Sequence, residues 1–399
     1  MINQKNVQLG TVRSCIRELF EYGKKRKAEI GEENVFDFSI GNPSVPAPPE
    51  VSAALKEIID TCDPVLLHGY TSAQGDFETR KTLADYTNAR FGTKLNADCF
   101  YLTCGAAASL TIVLNALLNE GDEVITFAPF FPEYRVFTEH AGGKFVAVKS
   151  IEDTFHIDFK LLESAITAHT KGVIINSPNN PSGVVYTEEE IKKLAELLEK
   201  YSKKYGNPIY LIADEPYREL VYDKNTEVPY VMTYYKHSIV CYSYSKSLSL
   251  PGERIGYVGV NCEMPDFSEV YAAVCGSGRS LGFVCAPNLF QQLIKKVYNL
   301  TSDVSVYKRN RDRMYSALTD YGFEVVKPDG AFYLFVKSPE KSAVDFCERA
   351  KKYEILIVPG NDFGCEGYAR ISYCVAPEML ERALPAFKKL AESYGKKTC

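Results

Sequence analysis

The most informative part of this chain reads Ser243-Tyr244-Ser245-Lys246-Ser247-Leu248-Ser249-Leu250-Pro251-Gly252-Glu253-Arg254-Ile255-Gly256. It begins at the end of an apolar run, 239–243, that has the pattern of a buried strand. In open α/β sheets, ligands bind beyond the carboxyl ends of the strands, so Lys246 is a candidate functional group. A lone lysine is usually an exposed surface residue. Here the surrounding hydroxyl groups, the Pro-Gly turn and an arginine eight residues later argue against a solvated loop.

Four more strand-like runs precede this segment: Phe100–Thr103, Glu123–Phe127, Val173–Asn176 and Ile209–Ala213. Helical patterns alternate with them. The clearest spans 187–205, where Thr187 and Glu190 have the spacing of a capping box. This alternation predicts an α/β fold with a largely parallel sheet covered by helices.

The ends of the chain have a different organisation. Residues 41–49 are rich in proline and glycine, which predicts a rigid extended linker and a domain boundary. A helical pattern runs from 288 to 321 with a weak break near 300–303, and strand-like runs follow at 331–336, 355–358 and 369–374 before a last helix toward Tyr394. We therefore expect residues 1–45 to form an arm and part of a small α/β domain, 46–300 the large domain, and 301–399 the rest of the small domain.

Composition excludes several classes of protein. The chain has 399 residues, 46% of them hydrophobic, so a disordered, collagen-like or coiled-coil protein is excluded. A net charge of -5 argues against a nucleic-acid partner. The twelve cysteines and five histidines do not cluster, and no apolar run has the length of a membrane span. We expect a reduced, cytoplasmic protein without a metal site and without a membrane partner.

Other predicted strands are also followed by residues that could carry chemistry. Cys104-Gly105-Ala106-Ala107 opens a helix and could cradle an anion with backbone N–H groups, although a simple tight turn explains it too. Asp214 ends a predicted buried strand. A carboxylate there either pairs with a cation or caps a helix or turn. Asn180 lies in a loop of turn-forming residues, and Arg370, among strand residues, requires an anionic partner.

Taken together, these motifs resemble the class I/II aminotransferases, the fold-type-I enzymes that use pyridoxal phosphate. The resemblance extends from Gly41-Asn42-Pro43 to Arg370-Ile371-Ser372. It rests on N-N-P-S-G, D-E-x-Y and S-x-S-K with P-G-x-R-x-G, which follow one another in that order along the chain. It implies a mostly parallel sheet of seven strands and a homodimer with shared active sites. It also implies transfer of an amino group between an L-amino acid and a 2-oxo acid.

By this resemblance, Lys246 forms the Schiff base with the cofactor and shuttles the substrate proton. A buried amine with a lowered pKa suits both tasks. Asp214 matches the aspartate that pairs with the ring nitrogen of the cofactor. Tyr217 and Asn180 match the residues that hydrogen-bond its phenolic oxygen, and Phe131 matches the aromatic residue that stacks on its ring.

The resemblance also assigns the phosphate site. Ser243, Arg254 and the backbone N–H groups of Ala106 and Ala107 match its ligands, and Tyr70 matches a tyrosine that reaches the phosphate of the neighbouring subunit. Many relatives carry a hydroxyl group in this turn, whereas this sequence has alanines. We expect a modest loss of cofactor affinity from that difference.

The substrate site follows in the same way. Arg370 matches the arginine that holds the α-carboxylate with its planar guanidinium. Gly41 lies where the family's N-terminal segment passes close to the bound substrate, and Asn180 is a further candidate for substrate binding. Arg279 lies about where some relatives bring an arginine across the dimer to an acidic side chain, which suggests aspartate or glutamate as substrate. An exposed loop arginine is an equally good interpretation.

Three alternatives remain at this stage. The same motifs occur in pyridoxal-phosphate enzymes that act as carbon–sulfur β-lyases. Gly276-x-Gly278-x-x-x-Gly282 could be a nicotinamide-binding turn of an oxidoreductase, although its spacing is off by one and no strand clearly precedes it. A non-enzymatic regulator would need a DNA-binding module, for which we find no segment before Gly41.

Overall fold

A computed structural model describes residues 2–11 and 15–396 of the chain. Its strands are β1 Phe36–Asp37, β2 Phe100–Thr103, β3 Glu123–Ala128, β4 Lys144–Lys149, β5 Thr170–Asn176, β6 Tyr210–Asp214, β7 Ser238–Ser243, β8 Gly256–Val260, β9 Val325–Val326, β10 Tyr333–Lys337, β11 Ile355–Leu356, β12 Val358–Pro359 and β13 Tyr368–Ser372. Its α-helices are α1 Gln4–Thr11, α2 Cys15–Ile30, α3 Pro49–Thr61, α4 Pro64–His68, α5 Phe77–Phe91, α6 Ala106–Leu117, α7 Glu133–His140, α8 Phe159–Ala165, α9 Glu188–Tyr205, α10 Tyr244–Ser247, α11 Phe267–Leu281, α12 Asn288–Val297, α13 Val304–Asp320, α14 Ala343–Lys351 and α15 Pro377–Glu392.

The large sheet has seven strands in the order β2-β8-β7-β6-β5-β3-β4. The five strands predicted for this part of the chain are confirmed, with ends that differ by at most three residues. Strands β4 and β8 were not predicted, and β8 runs antiparallel to both of its neighbours, so the sheet is mostly rather than wholly parallel. The carboxyl ends of β2, β5, β6 and β7 lie at one edge, which is where the motif residues follow.

Helices cover both faces of this sheet. Along β6, the side chains of Leu211 and Ala213 pack into one core, and those of Tyr210 and Ile212 pack into the other. Successive strand residues point to opposite faces, so this division shows that β6 is buried on both sides. Helix α9 has the predicted capping box at Thr187 and packs on the first face, while α6 and α11 pack on the second.

The tail forms a second, smaller sheet in the antiparallel order β12-β13-β10-β9. Helices α13, α14 and α15 pack against it in a separate core, which also takes Phe38 and Val45 from the N-terminal part. Strand β1 pairs with β11, so the N-terminal segment joins the tail. The domain limits remain a prediction, and their outermost residues 1 and 397–399 lie outside the described residues.

The glycine pattern at 276–282 is helical, so its interpretation as a nicotinamide-binding turn is wrong. Gly276 and Gly278 lie within α11, and Gly282 ends it as a left-handed C-cap with φ 76°. A Cβ on Gly278 would collide with the Tyr101 hydroxyl, which explains this glycine by packing of α11 against β2. Among the helices described, none is long and apolar enough to cross a membrane.

Candidate active site

A cavity of about 330 Å³ lies at the carboxyl edge of the large sheet, where the small sheet closes over it. Eleven of the twelve predicted site residues line it: Gly41, Ala106, Ala107, Phe131, Asn180, Asp214, Tyr217, Ser243, Lys246, Arg254 and Arg370. The twelfth, Tyr70, does not; it follows α4 and is 98% exposed. Arg279 also lies outside the cavity, exposed in the last turn of α11.

Lys246 lies on the one-turn helix α10, directly after β7. Its Nζ donates a hydrogen bond of 2.7 Å to the carbonyl oxygen of Gly41. Burial lowers the pKa of this amine to about 8, and the nearby guanidinium groups of Arg370 and Arg254 act in the same direction. The neutral amine is therefore accessible close to neutral pH, as a nucleophile or base requires.

Asp214 ends β6 at the floor of the cavity, and only one of its carboxyl oxygens has a partner. The Tyr134 hydroxyl donates to Oδ2 over 2.6 Å, while the buried Oδ1 has no hydrogen bond. Burial raises the pKa of Asp214 to about 7, against the Tyr134 hydrogen bond, which lowers it. A cationic N–H group at Oδ1 would satisfy the oxygen and favour the ionised carboxylate.

An anion site lies at the start of α6. The Arg254 guanidinium donates to the carbonyl oxygens of Cys104 at 3.1 Å and Pro251 at 3.0 Å, and it has no acidic partner in the described chain. A Cβ on Gly105, which has φ 88°, would lie 2.6 Å from Arg254 Nη2, so this turn requires glycine. The Ser243 hydroxyl makes no cap bond to α10, and the free N–H groups of the first turn of α6 complete the site.

Many relatives carry a hydroxyl group in this turn, where this chain has Ala106 and Ala107. Other hydroxyl groups nearby do not take its place. The hydroxyls of Thr103 and Ser109 are 2.7 Å apart and bind each other, and Ser109 also donates to Tyr257 O. Both residues are buried. The side chains of Ala106 and Ala107 therefore leave the anion to backbone groups, Ser243 and Arg254.

Arg370 projects from β13 at the opposite end of the cavity and is only 2% exposed. Its Nη1 donates to Asn180 Oδ1 at 3.1 Å and its Nη2 to Ser39 O at 2.5 Å, while Nε has no partner. Within the described chain it forms no ion pair. A buried guanidinium without an acid is suited to bind a carboxylate from outside the protein.

Tyr217 and Asn180 lie between these groups. The Tyr217 hydroxyl is 2.9 Å from that of Tyr333, and both residues are buried. Asn176 holds the loop together, since its Nδ2 donates to Asp214 O at 2.8 Å and its Oδ1 accepts from Asn180 N at 2.7 Å. The cavity is thus lined by an amine, a carboxyl group, an anion site and a guanidinium that has no acidic partner in the described chain.

Comparison with known proteins assigns this arrangement to a family. The sequence model described as aminotransferase class I and II matches residues 33–387. The chain belongs to the class I and II aminotransferases. These are pyridoxal-phosphate-dependent enzymes that transfer an amino group between an amino acid and a 2-oxo acid, and this aminotransferase is one of them.

Individual relatives agree with that assignment. A probable aspartate aminotransferase of Methanocaldococcus jannaschii is 31% identical over 387 residues, which cover 95% of this chain and 97% of that protein. An amino transferase of Eubacterium rectale with a solved structure is 58% identical, with a TM-score of 0.97 over 99% of this chain and 100% of that one. The aspartate aminotransferase of Thermus thermophilus, solved with maleate, is 26% identical, with a TM-score of 0.84 over 98% and 99%.

Two residues with a polar contact to the predicted site were not predicted from the sequence: Tyr134, which contacts Asp214, and Tyr333, which contacts Tyr217. Tyr134 is the second residue of α7, and no motif in the sequence indicates that its hydroxyl contacts Asp214. Tyr333 lies in a strand-like run whose apolar pattern is typical of a hydrophobic core. Only the pairing of β10 with β13 brings it beside Arg370.

Proposed function

We propose that Lys246 attaches pyridoxal phosphate covalently and moves the substrate proton, with Asp214 and Arg370 holding the cofactor ring and the substrate carboxylate. One observation carries the proposal: three polar groups, one partly buried and two buried without a hydrogen bond, converge on one cavity. These are the Lys246 amine, Asp214 Oδ1 and Arg370 Nε. Buried polar atoms without partners are rare in folded proteins, and each of these matches a group of the cofactor or substrate.

The residues present fit pyridoxal phosphate. Asp214 Oδ1 suits a protonated ring nitrogen, and Arg254, Ser243 and the first N–H groups of α6 suit a phosphate dianion. Phe131 lines the cavity as the ring that would stack on the cofactor. When bound, the cofactor supplies an electron sink for the substrate carbon that loses its proton.

Proton transfer falls to Lys246. With a pKa near 8, the amine can accept a proton at neutral pH and return it to a different carbon. Gly41 O holds Nζ at 2.7 Å, so the nitrogen has a fixed resting position within the cavity. Tyr217 and the Asn180 Nδ2 group are the donors that we assign to the phenolic oxygen of the cofactor.

The substrate carboxylate is assigned to Arg370. The guanidinium donates hydrogen bonds to Asn180 and Ser39 and contacts the rings of Tyr333, at 4.7 Å, and Phe363, at 5.0 Å. It is therefore oriented before substrate binds, and its free N–H groups can take a carboxylate in two parallel hydrogen bonds.

For the side chain of the substrate we propose an acidic amino acid, aspartate or glutamate. The Methanocaldococcus jannaschii relative is named a probable aspartate aminotransferase, and the Thermus thermophilus aspartate aminotransferase was solved with the dicarboxylate maleate. Among the residues that the structure describes, the cations lining the cavity of one subunit are Lys246, Arg254 and Arg370, which already have roles. We therefore assign a distal carboxylate to Arg279 from a second subunit. Steady-state rates for Arg279→Ala test this: an unchanged preference for aspartate over alanine refutes it.

We propose further that two copies form the active unit. Val65 is 80% exposed, Leu66 76% and Tyr70 98%, and together with Val284 they form what we call the 65–70 patch. Asn288 Nδ2 connects the chain near Val284 with α4, because it donates hydrogen bonds to the carbonyl oxygens of residues 66 and 67 at 3.0 and 2.9 Å. Large apolar side chains grouped on a surface indicate an interface, and Tyr70 would then approach the phosphate of the other subunit.

The attachment residue can be tested directly. The protein is incubated with pyridoxal phosphate, reduced with borohydride and digested, and the modified peptide is located by mass spectrometry. We expect the label on Lys246 and its loss in Lys246→Ala. A label on any other lysine would contradict the proposal.

A further inference from the structure

We infer that Tyr333 is a positioning residue that orders two groups at once: its ring holds the Arg370 guanidinium, and its hydroxyl orients the Tyr217 hydroxyl. This inference rests on the proposed function, because it concerns the same cavity. It assigns a task to a buried side chain that the roles above leave without one.

Tyr333 occupies the first position of β10, opposite Ser372 of β13 and beside the cavity. Its side chain is buried, and its ring faces Arg370 Cζ at 4.7 Å. The Phe363 ring also contacts the guanidinium, with its centre 5.0 Å from Cζ. Stacking of this kind restricts rotation of the planar guanidinium, which the two hydrogen bonds to Asn180 and Ser39 alone fix less firmly.

The hydroxyl of Tyr333 makes the second contact. It lies 2.9 Å from the Tyr217 hydroxyl, and the two rings meet edge to face at 5.8 Å. A Cβ on Gly41 would collide with the same hydroxyl, so this part of the chain approaches Tyr333 as closely as glycine permits. Because Gly41 O accepts the hydrogen bond from Lys246, Tyr333 lies between the parts of the cavity that hold the amine, the phenol and the guanidinium.

Only one direction of the hydrogen bond serves catalysis. If Tyr217 donates to Tyr333, its single proton is used inside the protein and cannot serve an oxygen in the cavity. If Tyr333 donates, Tyr217 keeps its proton for the cofactor oxygen and becomes a stronger donor, because its own oxygen is already accepting. We assign the second direction.

The titratable groups around this pair do not oppose the assignment. Arg370, Asp214 and Cys374 face the two phenols from neighbouring elements. Burial raises the pKa of Tyr333 to about 12 and that of Tyr217 well above its ordinary value, and the positive charge of Arg370 only partly offsets this. Both phenols therefore keep their protons across the pH range of an assay.

Two variants separate the contacts. In the holoenzyme, Tyr333→Phe keeps the ring and removes the hydroxyl. We expect kcat to fall about 2- to 10-fold, as for one hydrogen bond, with KM for the amino acid within about twofold. Tyr333→Leu also removes the stacking, and we expect KM to rise about 3- to 30-fold in addition. Melting temperatures establish that both variants fold.

The decisive readout is the pH-dependent visible absorption of the resting holoenzyme, which needs no turnover. A weaker Tyr217 donor stabilises the anionic cofactor oxygen less, so the midpoint of the spectral change moves to higher pH in Tyr333→Phe. In a Tyr217→Phe background, Tyr333→Phe produces no further movement, since it acts through Tyr217. An unmoved midpoint in the single variant, or the same movement in both backgrounds, would overturn the inference.

These results distinguish the inference from the proposed function. If the wild-type protein gains no visible band with pyridoxal phosphate, the proposed function fails, and the inference falls with it. If the wild type shows the band and the amino-acid-dependent change while Tyr333→Phe leaves kcat, KM and the midpoint unchanged, only the inference fails.

Discussion

Replacement of Tyr134 by phenylalanine probes the charge of Asp214 most sharply. The Tyr134 hydroxyl donates a 2.6 Å hydrogen bond to a buried carboxyl oxygen, and both residues are buried. A hydrogen bond to a charged group contributes about 1.5–3 kcal/mol, and one pKa unit corresponds to about 1.4 kcal/mol. Loss of the bond therefore raises the pKa of Asp214 further above about 7, by about one to two units.

This rise in pKa weakens cofactor binding at low pH. A carboxyl group whose pKa is raised is protonated over a wider range of low pH, so the ionised form that pairs with a protonated ring nitrogen appears only at higher pH. We expect the affinity of Tyr134→Phe for pyridoxal phosphate at about pH 7 to fall about 5- to 50-fold, as the ionised fraction of Asp214 falls, and to recover as the pH rises. The acid limb of the kcat/KM profile should move upward by about one to two units.

The assay is titration of the apoenzyme with pyridoxal phosphate, followed by absorption between about pH 6 and pH 9. Tyr235→Phe is the matched control, because its buried hydroxyl donates to Ile209 O at 2.8 Å, just before the start of β6 and far from the cavity edge. An affinity and a pH profile that are the same in Tyr134→Phe and in wild type would refute the reasoning about Asp214.

Three further predictions concern the ends of the cavity and the 65–70 patch. Arg370→Lys keeps the charge but loses the planar pair of donors, so KM for the amino acid should rise about 10- to 100-fold in steady-state assays; an unchanged KM would contradict the carboxylate assignment. Ala107→Ser returns a hydroxyl to the phosphate turn and should tighten pyridoxal phosphate binding about 3- to 10-fold by equilibrium titration, whereas no gain would show that the anion lies elsewhere. Leu66→Glu should be a monomer by light scattering and should have little activity in rate measurements. Leu161→Glu, whose leucine is 44% exposed, is the control and should change neither property. A dimeric Leu66→Glu would rule out the 65–70 patch as the interface.

The strands at the centre of the sheet could be predicted because both of their faces are buried. Residues 210–214 and 238–243 are buried throughout, so continuous apolar runs mark them without ambiguity. Strand β4 was not predicted because it lies at the edge of the sheet, where Lys144 and Lys149 are exposed and interrupt the apolar pattern. Strand β8 was not predicted because Gly256 and Gly259 weaken the pattern of a strand.

The candidate site was predictable where a motif carries it and not where the packing of two sheets creates it. Asp214 ends β6, and Lys246 lies in the short helix directly after β7, so the carboxyl edge of the sheet places both at the cavity. Tyr333 gives no such signal, because its contact with Tyr217 joins residues 116 positions apart. The free oxygen of Asp214 likewise depends on where Tyr134 points, which no spacing in the sequence specifies.

The most direct test of the central claim is the visible absorption spectrum of the protein reconstituted with pyridoxal phosphate, recorded before and after L-glutamate. We predict a visible band that bleaches on addition of the amino acid and returns when a 2-oxo acid is added, without release of ammonia. A band that persists, or that decays with pyruvate and ammonia from cysteine-like substrates, would contradict transamination. A protein that gains no band at all would contradict the assignment of the cavity to pyridoxal phosphate.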